Sequence, residues 1–159
     1  MTRLYGWGPT EQRVIDLVPH GHWQSTTFVA ALRLDGLFAP MVVDGALNGE
    51  LFLKYVQQEL APQMRPGDIL VMDNLPTHKI KGVAAVLAER EASVVFLPPY
   101  SPDLNPIEQV FSQVKSQLRR RRLRTCDELW NAFGDSLDWV STDQARNYFR
   151  HAGYTVERN

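Results

Sequence analysis

Two acidic residues, Asp73 and Glu108, stand where a carboxylate could act on a bound ligand. Asp73 ends the apolar run of a predicted buried strand, and the carboxyl ends of strands in open α/β sheets face the ligand crevice. The 34 residues between the two acids contain a predicted helix, a strand and a proline-rich turn, so both carboxylates can reach one sheet edge. Converging carboxylates repel each other unless a cation lies between them, and such hard oxygen ligands suit Mg²⁺ or Mn²⁺. The pair predicts a divalent-metal site of the kind that phosphoryl transfer uses.

Each acid also has a simpler interpretation as part of a local cap. Asp73 and Asn74 have the chemistry of a turn that caps the following helix. Around Glu108, Asn105 is a good N-cap and Pro106 suits the first helical position. Glu108 then stands where a glutamate reaches back to close a capping box. The residues alone leave both interpretations open.

A strongly basic run, KSQLRRRRLR, follows Glu108 on the same predicted helix. Residues 105–124 carry one glutamate against one lysine and five arginines, a net +5 inside a chain of net −1. One face of this helix is apolar, and a neighbouring face carries Glu108, Lys115, Arg119 and Arg122. We therefore expect the cations to bind phosphates that lead away from the acids, with a merely solvated face as the alternative. The predicted DNA-binding residues are Lys115, Arg119, Arg120 and Arg122.

The elements that must position these residues alternate between strands and helices. Residues 26–43 predict a hairpin around Asp35-Gly36, and the runs DILVMD and SVVFL predict two strands that helical segments separate. Helices are predicted over residues 48–60, 79–91, 105–123, 126–139 and 142–151. The helix at 126 opens with a Thr125-x-x-Glu128 capping box, and Gly153 closes the last one. The pattern indicates a mixed α/β fold.

Length and composition favour one domain over residues 1–159, with 44% hydrophobic and 22% charged residues. The single Cys126 excludes an internal disulfide, and no apolar run approaches the ~18 residues of a membrane span. A cytoplasmic location is expected. The tryptophans and Phe28, Phe52 and Phe111 are predicted core residues. No structural zinc site is predicted, since His20, His22 and His151 lack ligand spacing.

The segments DNLPTHK and FLPPYSPDLNPIEQVFSQVK, with their spacing, resemble the catalytic domain of DDE transposases of the mariner-like bacterial insertion-sequence group. Residues 5–52 and the closing NYFRHAGY share the resemblance, which thus covers nearly the whole chain. It implies a ribonuclease-H-like fold in which Asp73 and Glu108 are the second and third catalytic acids and bind Mg²⁺ or Mn²⁺. Asn74 and His78 would support that site. The implied chemistry is hydrolytic nicking at transposon ends, then attack of the freed 3′-hydroxyl on target DNA, by a homo-oligomer.

One departure from the family concerns its first catalytic Asp, which lies upstream of the segment that GWGPTEQR resembles. We expect the central first strand, like the N-terminal DNA-recognition region, to be missing, so that the hairpin separates from the parallel strand pair. Asp16 is the best internal substitute, although Asp16, Asp35 and Asp44 all favour connector or turn positions. Two interpretations remain: a catalytic portion whose first Asp an upstream segment supplies, or an inactive remnant that at most binds DNA or intact transposase. A second reading frame, a decayed copy and a mispredicted start remain open as origins.

Overall fold

The computed structural model describes residues 6–15, 25–123 and 125–156. Its first regular element is an antiparallel hairpin of β1 (Thr26–Arg33) and β2 (Gly36–Asp44). Arg33 pairs with Gly36, so the two-residue loop is Leu34-Asp35 and lies one residue earlier than the sequence predicted. The sequence predicted a turn in which Asp35 and Gly36 both have positive φ. Only Gly36 does, with φ 136°, and the loop is therefore one residue earlier than predicted.

A β-bulge interrupts the hairpin between Val29 and Ala31, where the register shifts. Opposite the bulge, buried Ala39 has φ 48°. The next residue, Pro40, lacks an N–H and occupies a position that a regular central strand would not tolerate. The hydroxyl of Tyr55 donates a hydrogen bond of 2.8 Å to the Ala39 carbonyl. The bulge therefore fixes the following helical segment against the hairpin.

That helical segment comprises α1 (Gly49–Tyr55), continued by a π-helical turn (Val56–Leu60) and a 3₁₀ turn (Ala61–Gln63). The side chain of Asn48 caps α1 by accepting a 2.9 Å hydrogen bond from the Leu51 amide. As the periodicity predicts, its buried side chains include Phe52, Tyr55, Val56 and Leu60.

Two parallel strands, β3 (Ile69–Met72) and β4 (Ser93–Phe96), form the second pair, with α2 (Val83–Ala88) between them. The predicted helix over 79–91 is thus much shorter, because Gly82 begins it with φ 110° and no side chain caps it. Pro76–His78 forms a separate 3₁₀ turn. His78 therefore ends a short turn instead of lying in the first turn of a helix.

Three helices complete the described chain: α3 (Ile107–Arg121), α4 (Cys126–Asp135) and α5 (Thr142–His151), with a 3₁₀ turn (Ser136–Trp139) after α4. The predicted Thr125–Glu128 capping box forms, a second box forms at Ser141–Gln144, and Gly153 follows α5 with φ 90°. No helix within the described residues has both the length and the apolar character needed to cross a membrane.

Within the described residues, the hairpin and the parallel pair form two separate two-stranded sheets. One face of the hairpin packs with α1, α2 and the parallel pair, and its other face packs with α3, α4 and α5. Phe28 shows the second packing, since its ring stacks on Phe133 at 4.5 Å and meets Phe111 edge-on at 6.1 Å. Phe28 and Phe52 thus lie in the cores as predicted. Phe111 is half-buried and lies against Phe28 outside both cores, and Trp7 and Trp130 are exposed.

Candidate active site

A cavity of about 420 Å³ lies between β1, β3 and the start of α3. Its lining includes Asp73, His78 and Glu108, together with Asn105 and Pro106. The end of β3 is fixed there by a 2.7 Å hydrogen bond from the Leu97 amide to the Met72 carbonyl. The two acids that the sequence predicts to converge therefore border one cavity, at the carboxyl end of the parallel strands.

Asp73 caps no helix in this structure. The 3₁₀ turn that follows it begins after Leu75 and receives no side-chain cap. The Oδ1 atoms of Asp73 and Asn74 are both buried without a hydrogen-bond partner. Buried polar atoms of native proteins normally have a protein, water or ion partner. Two oxygen atoms at the end of β3 thus lack a hydrogen-bond partner among the described residues.

His78 places its imidazole Nδ1 2.5 Å from Asp73 Oδ1. This is ion-pair distance, but the angles do not meet hydrogen-bond geometry, and both atoms remain without a hydrogen-bond partner. The position of the ring is set from the other side, where it lies 4.6 Å from the ring of buried Phe52. Sequence periodicity marks Phe52 only as a core residue, so its support of His78 could not be predicted.

Glu108 does not form the capping box that its sequence context allows. No side chain caps the N-terminus of α3, and Glu108 contributes only a 3.2 Å hydrogen bond from its backbone amide to the Asn105 carbonyl. Its carboxylate is exposed and makes no hydrogen bond or ion pair with the described residues. The capping interpretation is therefore wrong for this residue, and its carboxylate is free to bind a ligand.

The donor set fits a hard cation that is bound partly by its substrate. Among the described residues, no three His, Cys, Asp or Glu side chains cluster closely enough to hold a metal ion by themselves. Mg²⁺ commonly takes one or two protein carboxylates and completes its octahedron with water and phosphate oxygens. Asp73 and Glu108 provide two hard carboxylates at one cavity, and the Asp73 side chain stays 41% exposed although His78 lies against its Oδ1.

The family model described as DDE superfamily endonuclease matches residues 1–130. The chain belongs to this family. A curated human relative, histone-lysine N-methyltransferase SETMAR, is 34% identical over 95 residues, which are 59% of this chain. The DDE chain spans only 14% of the length of that relative.

Solved structures of Mos1 resemble the fold of this DDE chain. The Mos1 strand transfer complex gives a TM-score of 0.70 at 16% identity, over 96% of this chain and 46% of the other. The Mos1 mariner paired end complex with Mn gives 0.67 at 17% identity, over 96% and 47%. The DDE chain thus spans about half of each matched chain, and the predicted ribonuclease-H-like mixed α/β fold is confirmed.

The cavity of the DDE chain also separates two strand edges. All of β1 except Thr26 and all of β3 line it. In the part of the chain that the structure describes, β1 pairs only with β2 and β3 pairs only with β4. Arg33 at the end of β1 contacts Asp68 just before β3, with 2.5 Å between Nη2 and Oδ2. The two strands therefore run in opposite directions along the cavity. Asp73 lies at the end of the cavity away from this ion pair.

The Asp68 carboxyl in that ion pair has a lowered pKa. Burial acts to raise its pKa, but hydrogen bonds from the Arg65 amide and the Arg33 guanidinium outweigh burial and hold the pKa below its usual range. The Arg33 guanidinium also lies 4.1 Å from the centroid of the Phe38 ring. This cluster fastens the hairpin to the start of the parallel pair.

The basic residues of α3 divide into two groups. Lys115, Arg119 and Arg120 are exposed and form no ion pair within the described part of the chain. Arg121 instead binds Asp135 at 3.0 Å and lies over the Trp139 ring, 4.5 Å from its centroid. By helical geometry Arg120 lies about 120° around the axis from the line of Glu108, so only part of the predicted track is continuous.

Arg122 ends α3 in the left-handed region, with φ 51°. Arg124 and the candidate Asp16 lie outside the described residues, as do His20 and His22. Asp35 lies in the hairpin loop, and Asp44 ends β2 before Gly45, whose φ is 97°. Both therefore occupy the turn positions that the sequence predicts.

Proposed function

We propose that residues 1–159 of this DDE chain form the catalytic domain of a transposase. It cleaves DNA strands at the ends of an insertion sequence and transfers them to target DNA. The observation that carries the proposal is the meeting of Asp73 and Glu108 at one cavity, with neither acid engaged in a cap. The location that follows is the cytoplasm, on nucleoid DNA.

Asp73 and Glu108 would hold Mg²⁺ or Mn²⁺ here. The chemistry that such a cation supplies is activation of the attacking oxygen and stabilisation of the leaving oxygen. His78, held against Phe52, restrains the Asp73 carboxylate, and the Asn74 side chain adds a polar oxygen beside it. In each step a water or 3′-hydroxyl oxygen bonds to phosphorus and loses its proton to solvent, while the phosphorus bond to the leaving 3′-oxygen breaks.

DNA would approach along α3. Lys115 and Arg119 share the face of Glu108, and at ~1.5 Å per residue Arg119 lies ~16 Å along the helix from that carboxylate. This length spans several phosphates of one strand, so the two cations can bind the backbone that leads from the site. Arg120 and Arg122 would bind phosphates flanking this line.

An upstream transposase segment would complete the site as a strand between β1 and β3. Because those strands run in opposite directions, one added strand can pair antiparallel with β1 and parallel with β3. Its carboxyl end would then lie beside Asp73, where a third acid is required. The segment could belong to the same polypeptide or reach the site within a homo-oligomer.

A catalytically inactive remnant is the second candidate function. The observation that favours it is the two-acid cavity between two sheets that do not pair in the described structure. Such a remnant would bind DNA through α3 or associate with intact transposase, without cleaving strands.

The test compares two proteins: the chain as given, and the same chain with an N-terminal extension. The extension is translated from any upstream reading frame that encodes an apolar strand carrying an acidic residue. Mn²⁺ binding is measured by electron paramagnetic resonance, and cleavage by release of a labelled transposon-end strand. We expect Asp73→Asn and Glu108→Gln to weaken Mn²⁺ binding at least tenfold and to abolish cleavage by the extended chain. Glu89→Gln, at an exposed glutamate near the end of α2, is the matched control.

The outcomes separate the candidates. Unchanged Mn²⁺ affinity and cleavage in both site variants would refute the assigned acids. An extended chain that binds DNA and Mn²⁺ without cleaving it would favour the remnant. The unextended chain could also cleave DNA, and Asp16→Asn could abolish that cleavage. This result would assign the third acid to Asp16 and overturn the proposal that an upstream segment supplies it.

A further inference from the structure

Tyr100 has a conformation and an exposure that folding alone does not explain. Its side chain is fully exposed, and its backbone has φ 56°, in the left-handed region that disfavours residues with a Cβ. A large aromatic ring gains no burial there, and the strained backbone costs stability. Strained, exposed side chains of this kind concentrate at sites that bind ligands.

The loop that carries Tyr100 has a restrained backbone. Prolines at 98, 99, 102 and 106 restrict its backbone. Ser101 donates its hydroxyl to the Pro99 carbonyl at 3.3 Å, and the Tyr154 hydroxyl donates to the Leu104 carbonyl at 3.0 Å. The backbone that carries the ring therefore loses little conformational freedom when the ring binds a partner.

This loop and the loop after β3 leave the same edge of the parallel pair. Asp73 begins one loop, and the other runs from Leu97 to the start of α3. Both loops present exposed apolar side chains, which are Leu75, Tyr100 and Leu104. An apolar surface thus lies at the edge that also bears the candidate active site and the first turn of the basic helix.

We propose that Tyr100 is a stacking platform for an unpaired nucleobase of the DNA strand at the active site. This inference rests on the proposed function, because it requires DNA at Asp73 and Glu108. Every base offers an aromatic face to a tyrosine ring, whereas phosphates bind the neighbouring cations. A ring at the edge from which the basic helix starts would hold a strand by its base, while the cations of that helix hold the strand by its backbone.

The experiment measures binding of the whole chain to a single-stranded oligonucleotide of about a dozen nucleotides that carries one 2-aminopurine. EDTA is present, so binding is read without catalysis or metal. Tyr100→Phe keeps the ring, and Tyr100→Ala removes it. Tyr100→Gly removes both the ring and the strain, so a folding defect of the alanine variant cannot decide the result. Trp7→Ala is the matched control, because Trp7 is also fully exposed but lies outside both loops.

We expect Tyr100→Ala and Tyr100→Gly to weaken single-strand binding by about 5- to 100-fold and to remove 2-aminopurine quenching. Tyr100→Phe and Trp7→Ala should bind as the wild type does, and fully paired duplex should be much less sensitive. Wild-type affinity in both ring-less variants, with binding lost in Arg119→Ala, would overturn stacking and leave the proposed function standing. Changed self-association with unchanged DNA affinity would assign the ring to a protein contact instead. Absence of DNA binding by the wild type would overturn both proposals.

Discussion

The carboxylate of Glu108 is bound to nothing in the described part of the chain, whereas that of Glu128 accepts the Thr125 amide at 3.1 Å. Both glutamates stand three residues after a residue able to cap a helix. The difference arises at the chain entry, because Pro106 is the residue that adjoins α3 and its backbone is already helical. Local sequence therefore could not decide between cap and ligand for Glu108.

Glu108→Gln should leave the free energy of unfolding within about 0.5 kcal/mol of wild type, since no capping bond is lost. Thr125→Ala breaks a capping box that is present and should cost about 1 kcal/mol. Urea denaturation at neutral pH measures both values. A loss in Glu108→Gln as large as that in Thr125→Ala would show that Glu108 serves as a cap.

The elements that the sequence predicted best are those whose signals are local. The periodicity of the segment around Phe52 and the box at Thr125 both gave the observed helices, because the determining residues are neighbours along the chain. The helix predicted over residues 79–91 is shorter because Gly82 has a positive φ, and β2 begins at Gly36 for the same reason. A single positive φ overrides the periodic pattern of the residues around it. The Arg121 pair with Asp135 joins different helices, so sequence could not separate this arginine from its neighbours.

Two alanine substitutions test whether Arg119 binds DNA while Arg121 stabilises the fold. Arg119→Ala should weaken DNA binding and lower the salt dependence of binding by about 0.7 to 0.9 per lost phosphate contact, with stability nearly unchanged. Arg121→Ala should cost roughly 1 kcal/mol of stability, because it loses Asp135 and the Trp139 ring, and should affect DNA binding less. Titrations at several salt concentrations, with thermal unfolding, measure both effects. A larger loss of DNA affinity in Arg121→Ala would reverse this assignment.

At the scale of the whole molecule, the hairpin contributes one face to each of the two hydrophobic cores. Phe28 faces the core of α3 to α5, and Ala31 faces the core of α1 and the parallel pair. The two sheets need no shared hydrogen bonds to stay together, because α1 and the Arg33–Asp68 pair also join them. The sequence predicted the separated sheets, but not the ion pair that spans them.

Stability should fall in acid as Asp68 takes up a proton. Its folded pKa lies below the ordinary value of 3.8, so its contribution is complete above that value and is lost as pH falls through the lower, folded pKa. Asp68→Asn should therefore be less stable than wild type at neutral pH, with a smaller further loss below pH 3.8. Denaturation curves between neutral pH and acid measure this, with exposed Asp103→Asn as the control. Parallel acid profiles for wild type and Asp68→Asn would contradict the linkage.

The two unpaired strand edges beside the cavity have a consequence for the behaviour of the chain in a cell. Within the described residues, N–H and C=O groups along one edge of β1 and of β3 pair with no strand, so they form a template for an extended polypeptide, including another copy of this chain. A strand that fills the gap would remove both edges at once. If the proposed upstream segment fills this gap, it would therefore also protect the protein from aggregation.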